Sequence, residues 1–417
     1  MTETSLSELF RVFGRIGVLS FGGPAAQIAL MHDTLVERQK WLSEEQYLRA
    51  LSLCMLLPGP EAMQLATYAG WRLRGVIGGL IAGLLFVLPG AAIILALAIG
   101  YISFGQVPLV QAAFLGIKAT VIIVVLQALL RLGQKALNGT ADWGLAAFAF
   151  VALFVFGLPF PAIIAVAAVF GWLRYQGGGE AKAPGLNSAG SVQTLLIWGG
   201  LWALPVLTVW AFQHDFLLQV GLFFSRLAVV TFGGAYAVLA YMTQEVVQDY
   251  GWITTGEMID ALGLAETTPG PLILVTEFVA ILAGQNVGGL GLAVVAGMMS
   301  LWVTFVPCFL WIFLAGPQLD YIAARPRLSA ALQGVTAAVV GVILNLSVWF
   351  ALHVLFARIG AVDHLALPLP DLKSMDLAAL VLTIFAGVLL LRIRLSLPLT
   401  LAIMAALGVA VGLFEIP

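Results

Sequence analysis

The chain is 417 residues long, 61% hydrophobic and only 10% charged, with a formal net charge of -2 and a mean hydropathy of +1.05. So little polar material cannot cover a water-soluble globule of this size, and the apolar runs reach bilayer-spanning length, so the composition excludes a soluble domain and specifies a polytopic α-helical membrane protein. Cys54 and Cys308 lie in apolar runs as small hydrophobes, and neither a disulfide framework nor a metal site is implied.

In chain order, apolar segments lie at about 8–31, 47–71, 75–102, 108–131, 143–158 and 159–174. The N-terminal stretch ahead of them carries acidic residues and no basic run before a cleavable core, so no signal peptide is expected. A polar Gly-rich linker (176–193) and one extra apolar segment (194–213) follow, and six segments then recur at 217–242, 258–283, 288–316, 328–356, 376–391 and 396–414. The halves, 1–175 and 214–417, share motifs at an offset of 211 residues. Phe21-Gly22-Gly23, Trp41 and Pro58-Gly59-Pro60 recur as Phe232-Gly233-Gly234, Trp252 and Pro269-Gly270-Pro271, and Arg15 recurs as Arg226.

If each half crosses the membrane an even number of times, the extra segment turns the second half upside down. The expected fold is therefore two inverted-topology repeats with broken, re-entrant helices, joined by one connecting transmembrane helix. Charge supports this, because cytoplasmic loops collect Lys and Arg. Arg38, Lys40 and Arg49 lie between the first two segments, whereas Leu227 to Ala324 holds no Lys or Arg. Nine crossings plus four re-entrant segments would place 15 of the 19 basic residues inside, which favours that count over thirteen plain crossings. Both counts put the N-terminus in the cytoplasm and the C-terminus outside.

Gly22-Gly23 sits about a dozen residues into its segment, a climb of roughly 18 Å, or about half the hydrocarbon thickness. Pro24 can open a new half-helix there, and Pro60 and Pro271 can do so after the second breaks. Ser43 with Gln46 and Thr254 with Glu257 read as capping boxes for the helices that end at those breaks. A helix restarting at the midplane presents unpaired N–H groups and its positive dipole end, a receptacle for a small oxyanion. The expected substrate-binding residues are Gly22, Gly23, Pro24, Gly59, Pro60, Gln64, Lys118, Gly233, Gly234, Thr268, Gly270 and Pro271. Hydroxyls of Ser20, Thr231 and Thr267 are expected to add hydrogen bonds, while Gly83 and Gly387, away from the breaks, are expected to tolerate alanine. Kinked membrane helices would explain one Gly/Pro motif, but not two different motifs at matched spacing in both halves.

Ionisable residues at membrane depth are expensive and stand as functional candidates. Glu61, Glu266 and Glu277 are the candidate proton carriers, and Glu61 also reads as a favourable charge at a helix start. Arg15 and Arg226, each seven residues before the first glycine of its Gly-Gly pair, either line an access path or anchor at headgroups. Lys118 is either a countercharge for the substrate or a snorkelling lysine. His32, His214, His353 and His364 show no metal spacing.

Phe21-Gly22-Gly23-Pro24, Trp41, Pro58-Gly59-Pro60 with Gln64 and Gly70, Phe232-Gly233-Gly234 and Pro269-Gly270-Pro271-Leu272 together resemble the chromate ion transporter family in its long two-domain form. The resemblance spans essentially the whole chain, departing at Ala235, where the first half has Pro24. It implies export of chromate driven by proton motive force or membrane potential, and chromate resistance. Sulfate is isosteric with chromate and stays open as the physiological anion. No cofactor and no nucleic-acid partner are expected; the partners are the oxyanion, protons, the bilayer and, if it oligomerises, a second copy. An intramembrane enzyme is the rival class, but His-Glu-x-x-His, Asp-rich metal clusters and Gly-x-Ser-x-Gly are absent from the sequence. An exporter of organic substrates is a further rival, for which a larger, aromatic-lined cavity is expected.

Overall fold

The computed structural model describes residues 4–175, 190–232, 235–319, 325–361 and 367–415; most of the expected linker, with Gly233, Gly234 and His364, lies outside them. The first half forms α1 (Leu6–Leu19), α2 (Gly23–His32), α3 (Glu44–Leu56), α4 (Glu61–Phe104), α5 (Pro108–Ala136), α6 (Thr140–Phe154) and α7 (Phe160–Arg174). The extra segment is α8 (Ser191–Ala211). The second half forms α9 (Asp215–Val230), α10 (Ala235–Thr243), α11 (Thr255–Thr267), α12 (Val275–Ala315), α13 (Pro326–Leu355), α14 (Leu377–Gly387) and α15 (Leu397–Glu415). A small antiparallel hairpin, β1 (Ile359–Ala361) with β2 (Pro368–Pro370), follows α13.

The breaks fall where glycine and proline leave no alternative. Gly22 caps α2 in the left-handed region at φ 85°, a conformation costly for a residue with a Cβ, and Pro24 sits in the first turn where its missing N–H is harmless. The half-helix that follows Pro60 runs on into the next segment, so that α4 is continuous except at Arg74 and Gly75 (φ 62°). Its counterpart α12 bends in the same way at Gly288 and Gly289 (φ 77°) and is preceded by a single 3₁₀ turn, Leu272–Leu274.

Among the described residues, five helical stretches have the length and apolarity to cross a bilayer: α4, α5, α8, 272–318 and α13. Shorter apolar helices occupy Thr140–Phe154, Phe160–Arg174, Leu377–Ile393 and Leu397–Leu413. Burial supports a lipid environment. No residue of α8 is buried, and Leu196 and Trp210 are exposed on it, whereas Gln64, Thr67 and Thr120 are wholly enclosed. The chain is a polytopic, all-α membrane protein.

The Cα framework divides into two compact units that do not follow the sequence halves: 1–98 with 176–238 and 268–329, and 99–175 with 239–267 and 330–417. In the first, α12 packs on α8 and α9, and Trp302 Nε1 donates to the Leu201 carbonyl at 2.7 Å. In the second, α5 packs against α15, α14 and α11. Close approach there rests on small residues, as is usual between membrane helices: Gly116 lies against the Met404 backbone, Gly171 against Ala330 and Gly341 against Ala146.

The expected tolerance of Gly83 to alanine fails for the same reason. A Cβ there would come within 2.5 Å of Thr67 Oγ1 and 2.6 Å of Phe309 Cε1, inside a packed contact. At Gly387 the nearest atom would be Ile123 Cδ1 at 3.5 Å, an ordinary contact. Gly83→Ala is therefore expected to destabilise the protein by about 1–3 kcal/mol, while Gly387→Ala leaves it unchanged. Thermal unfolding of the two variants in detergent checks this.

Candidate functional site: the crossed helix breaks

The breaks of the two halves are cross-linked through their backbones within the first compact unit. The Gly270 N–H donates to the Ser20 carbonyl at 2.9 Å, and the Gly59 N–H donates to the Thr231 carbonyl at 2.9 Å. The offset of 211 residues carries Gly59 to Gly270 and Ser20 to Thr231, so this is one hydrogen bond made twice with the halves exchanged. Each Pro-Gly-Pro turn thus docks on the residue two positions ahead of the other half's Gly-Gly motif. Gly59 (φ 119°) and Gly270 (φ 92°) hold backbone angles that side chains resist, and a Cβ on Gly59 would meet Gln64 Nε2 at 2.8 Å and Cys308 Sγ at 3.0 Å.

The surrounding backbone repeats with the same fidelity. Phe21 N–H bonds the Leu19 carbonyl at 2.9 Å as Phe232 N–H bonds Val230 at 3.0 Å, and Trp41 N–H bonds Leu35 as Trp252 N–H bonds Val246, both at 2.9 Å. Both first segments end in a π-helical turn, Asp33–Arg38 and Gln244–Asp249. Both capping boxes form: Ser43 Oγ accepts from the Gln46 N–H and Thr254 Oγ1 from the Glu257 N–H.

Several expected anion donors are engaged elsewhere. The amides of Gly59 and Gly270 serve the cross-links. The hydroxyls of Ser20, Thr231 and Thr267 donate to the carbonyls of Ile16, Leu227 and Leu264 in their own helices, a local bond that such residues form readily. Gln64 Nε2 donates to Pro58 at 2.6 Å, and its buried Oε1 has no partner. Gly59, Pro60, Gly270, Pro271, Thr268 and Gln64 are buried, while Gly22 is exposed and Gly23 and Pro24 are half-buried. Among the described residues, the accessible half-helix start is that of α2, whose first amides have no intrahelical acceptor.

Gln27 is a site residue that sequence reasoning missed. Its Nε2 donates to the Gly270 carbonyl at 2.6 Å and to Ser20 at 3.2 Å, tying the same crossing a second time. A lone amide within the apolar run from Pro24 to Met31 is the signal that could have found it.

Lys118 belongs to the second unit and is not a bare countercharge. Its Nζ lies 3.0 Å from Asp260 Oδ1, and Tyr101 donates to Asp260 Oδ2 at 2.8 Å. It lines a cavity of about 450 Å³ with Thr255, Gly256, Ile259 and His353. Asp260 stands where the first half has Arg49, a charge reversal legible in the repeat. Among the carboxylates, Glu61 is half-buried at the start of α4, and Glu266 and Glu277 are buried. Arg15 and Arg226 are both exposed. Despite their sequence spacing, His32, Glu37 and Glu44 bring ligand-type atoms within 4.8 Å of one another. The repeat has Thr243, Gln248 and Thr255 there, so this cluster is no part of the duplicated site.

The family profile described as chromate transporter matches residues 7–172 and 218–411. The chain belongs to the chromate transporter family. It is 31% identical over 348 residues to the chromate transport protein of Cupriavidus metallidurans, covering 81% of each chain. With the chromate transport protein of Pseudomonas aeruginosa the identity is 32% over 351 residues, 81% of this chain and 79% of the relative. An uncharacterized transporter of Methanocaldococcus jannaschii is 26% identical over 84% of this chain and 85% of its own. No solved structure matches the chain.

Proposed function

We propose that the protein is a secondary transporter, not an enzyme, that exports chromate across the cytoplasmic (inner) membrane and thereby confers chromate resistance. The observation that carries this reading is the reciprocal pair of hydrogen bonds that locks the helix breaks of both halves together, in a chain of the chromate transporter family. Broken helices crossing at a pseudo-two-fold relation are the usual construction of a transporter binding site.

The oxyanion is received at the Gly-Gly breaks. Gly22, Gly23 and Pro24 present a half-helix start to it, and the sequence repeat assigns Gly233 and Gly234, which lie outside the described residues, to the same role. Gly59, Pro60, Gln64, Thr268, Gly270 and Pro271 hold the break in place, and Lys118 with its cavity in the second unit is the alternative anion contact. Arg15 and Arg226 lie along the approach to the breaks. A dianion leaving the cell moves down the inside-negative potential, about 2.3 kcal/mol per charge per 100 mV, so the potential alone can drive export. A proton accepted by Glu61 or Glu266 would add to that drive. The N-terminus is placed in the cytoplasm and the C-terminus outside.

Sulfate has the same charge and tetrahedral shape, and remains the second reading. Inverted vesicles from cells with and without the protein test both. Chromate uptake is expected to rise at least severalfold with the protein and to collapse when the potential is dissipated. Uptake of sulfate with chromate excluded would assign the protein to sulfate, and uptake of neither would overturn the proposal.

A further inference from the structure

Buried hydroxyls in the helices of this protein follow one habit. Thr67, Thr120, Thr243, Ser347 and Thr383 each donate to the carbonyl four residues back. Thr276, Ser300 and Thr304 do not, and their oxygens are enclosed with no hydrogen-bond partner. Glu277 shares that condition: its Oε2 has no partner, and the side chain is deeply buried. The exposures of Thr276, Glu277, Ser300 and Thr304 are 0, 3, 0 and 2%, so bulk water does not supply the missing bonds.

The four residues lie on the two arms of α12, in the first compact unit. The two arms of α12 on either side of Gly288 and Gly289 run antiparallel in contact: Gly284 lies against Ala293, and Gly297 against Ile281. A Cβ on Gly297 would stand 3.6 Å from Glu277 Cγ. Ser300 and Thr304 lie one and two helical turns beyond Gly297 on the same face, in the direction in which the other arm reaches Glu277 and Thr276. Four buried side chains on the facing arms of α12, one carboxylate and three hydroxyls, therefore each hold an oxygen with no hydrogen-bond partner in an apolar interior.

We propose that this cluster is a binding site for a single sodium ion. A buried carboxylate without a partner costs several kcal/mol, and the run from Leu227 to Ala324 contains no Lys or Arg to neutralise it. One carboxylate balances one monovalent cation, whereas a divalent ion would leave net charge in the interior. A proton would neutralise Glu277 but give the three hydroxyls only one another and the carboxyl; a sodium ion engages all four oxygens at once. Bent and broken membrane helices are where coupling ions are coordinated in secondary transporters. The first half has Leu65 and Ala66 in place of Thr276 and Glu277, so the ion site is not duplicated with the breaks. Glu277 is then a sodium ligand, not the proton carrier its position in the sequence suggests.

The site is tested by ²²Na⁺ binding to the purified full-length protein in detergent, an assay independent of which anion is transported. Saturable binding of about one ion per chain is expected, displaced by unlabelled Na⁺ and not by K⁺ or choline. Glu277→Gln is expected to abolish it, and Ser300→Ala to weaken it at least tenfold. Thr208→Ala, which removes a hydroxyl bonded to the Leu204 carbonyl, leaves it unchanged. Because Ser300→Ala removes one oxygen from a packed helix without adding charge, it keeps the test meaningful if Glu277→Gln fails to fold. Absence of sodium binding, or binding unchanged in Ser300→Ala and any folded Glu277→Gln, would overturn the site.

Discussion

Gly23→Val is expected to lower chromate affinity about tenfold or more while the protein inserts at its normal level. Gly23 adopts φ 77°, and a Cβ there would meet nothing within 4 Å. Collision with neighbours is therefore not the cause of the loss. A β-branched residue is instead driven out of the left-handed region at a cost of about 1–3 kcal/mol. The start of α2 must rotate, and its first amides no longer point where Gly22 and Gly23 aim them. A reduction of chromate affinity of about tenfold or more follows from that energy. Gly23→Asn separates backbone conformation from bulk, because asparagine tolerates positive φ, and it is expected to retain most of the affinity. Gly234→Val should match Gly23→Val if the halves contribute alike. Normal chromate affinity in both folded valine variants would move the anion site away from the breaks, to the cavity beside Lys118.

The motifs legible in the sequence are those in which the backbone itself is unusual. Gly22, Gly23, Gly59 and Gly270 all have φ between 77° and 119°, and glycine is the residue type that marks such positions. Matched spacing of Pro58-Gly59-Pro60 and Pro269-Gly270-Pro271 also located the docking turns. Partners were not legible. Nothing local to Gly59 says that its N–H reaches Thr231, because that bond joins residues far apart in the chain, and the sequence reading left the amide free for an anion. Ser20 and Thr231 misled in a related way: a hydroxyl beside a helix break reads as a ligand donor, yet the carbonyl four residues back lies closer. Asp260 was overlooked because a lone acid in an apolar helix gives no sign of Lys118 and Tyr101, both supplied from earlier segments.

Single cysteines at Glu45 and Gly256 are expected to label from opposite faces of the membrane. The two positions are separated by the repeat offset of 211 residues, both are exposed, and both spare the N-cap residues Ser43 and Thr254. The expectation follows from parity. α6 and α7 are 15 residues each, about 22 Å of helix against a hydrocarbon core of about 30 Å. Whether they cross or turn back, they do so as a pair, and the two broken segments of each half also come as a pair. Each half therefore returns to the side on which it began, and the single helix α8 between them reverses the second half. The charges agree, with Arg38, Lys40 and Arg49 around the first position and no Lys or Arg from Leu227 to Ala324 around the second. Membrane-impermeant maleimide applied to right-side-out and inverted vesicles distinguishes the outcomes. Labelling of both cysteines from one face would mean that α8 does not span, and the two-fold exchange seen at Gly59 and Gly270 would then have to arise from an axis normal to the membrane.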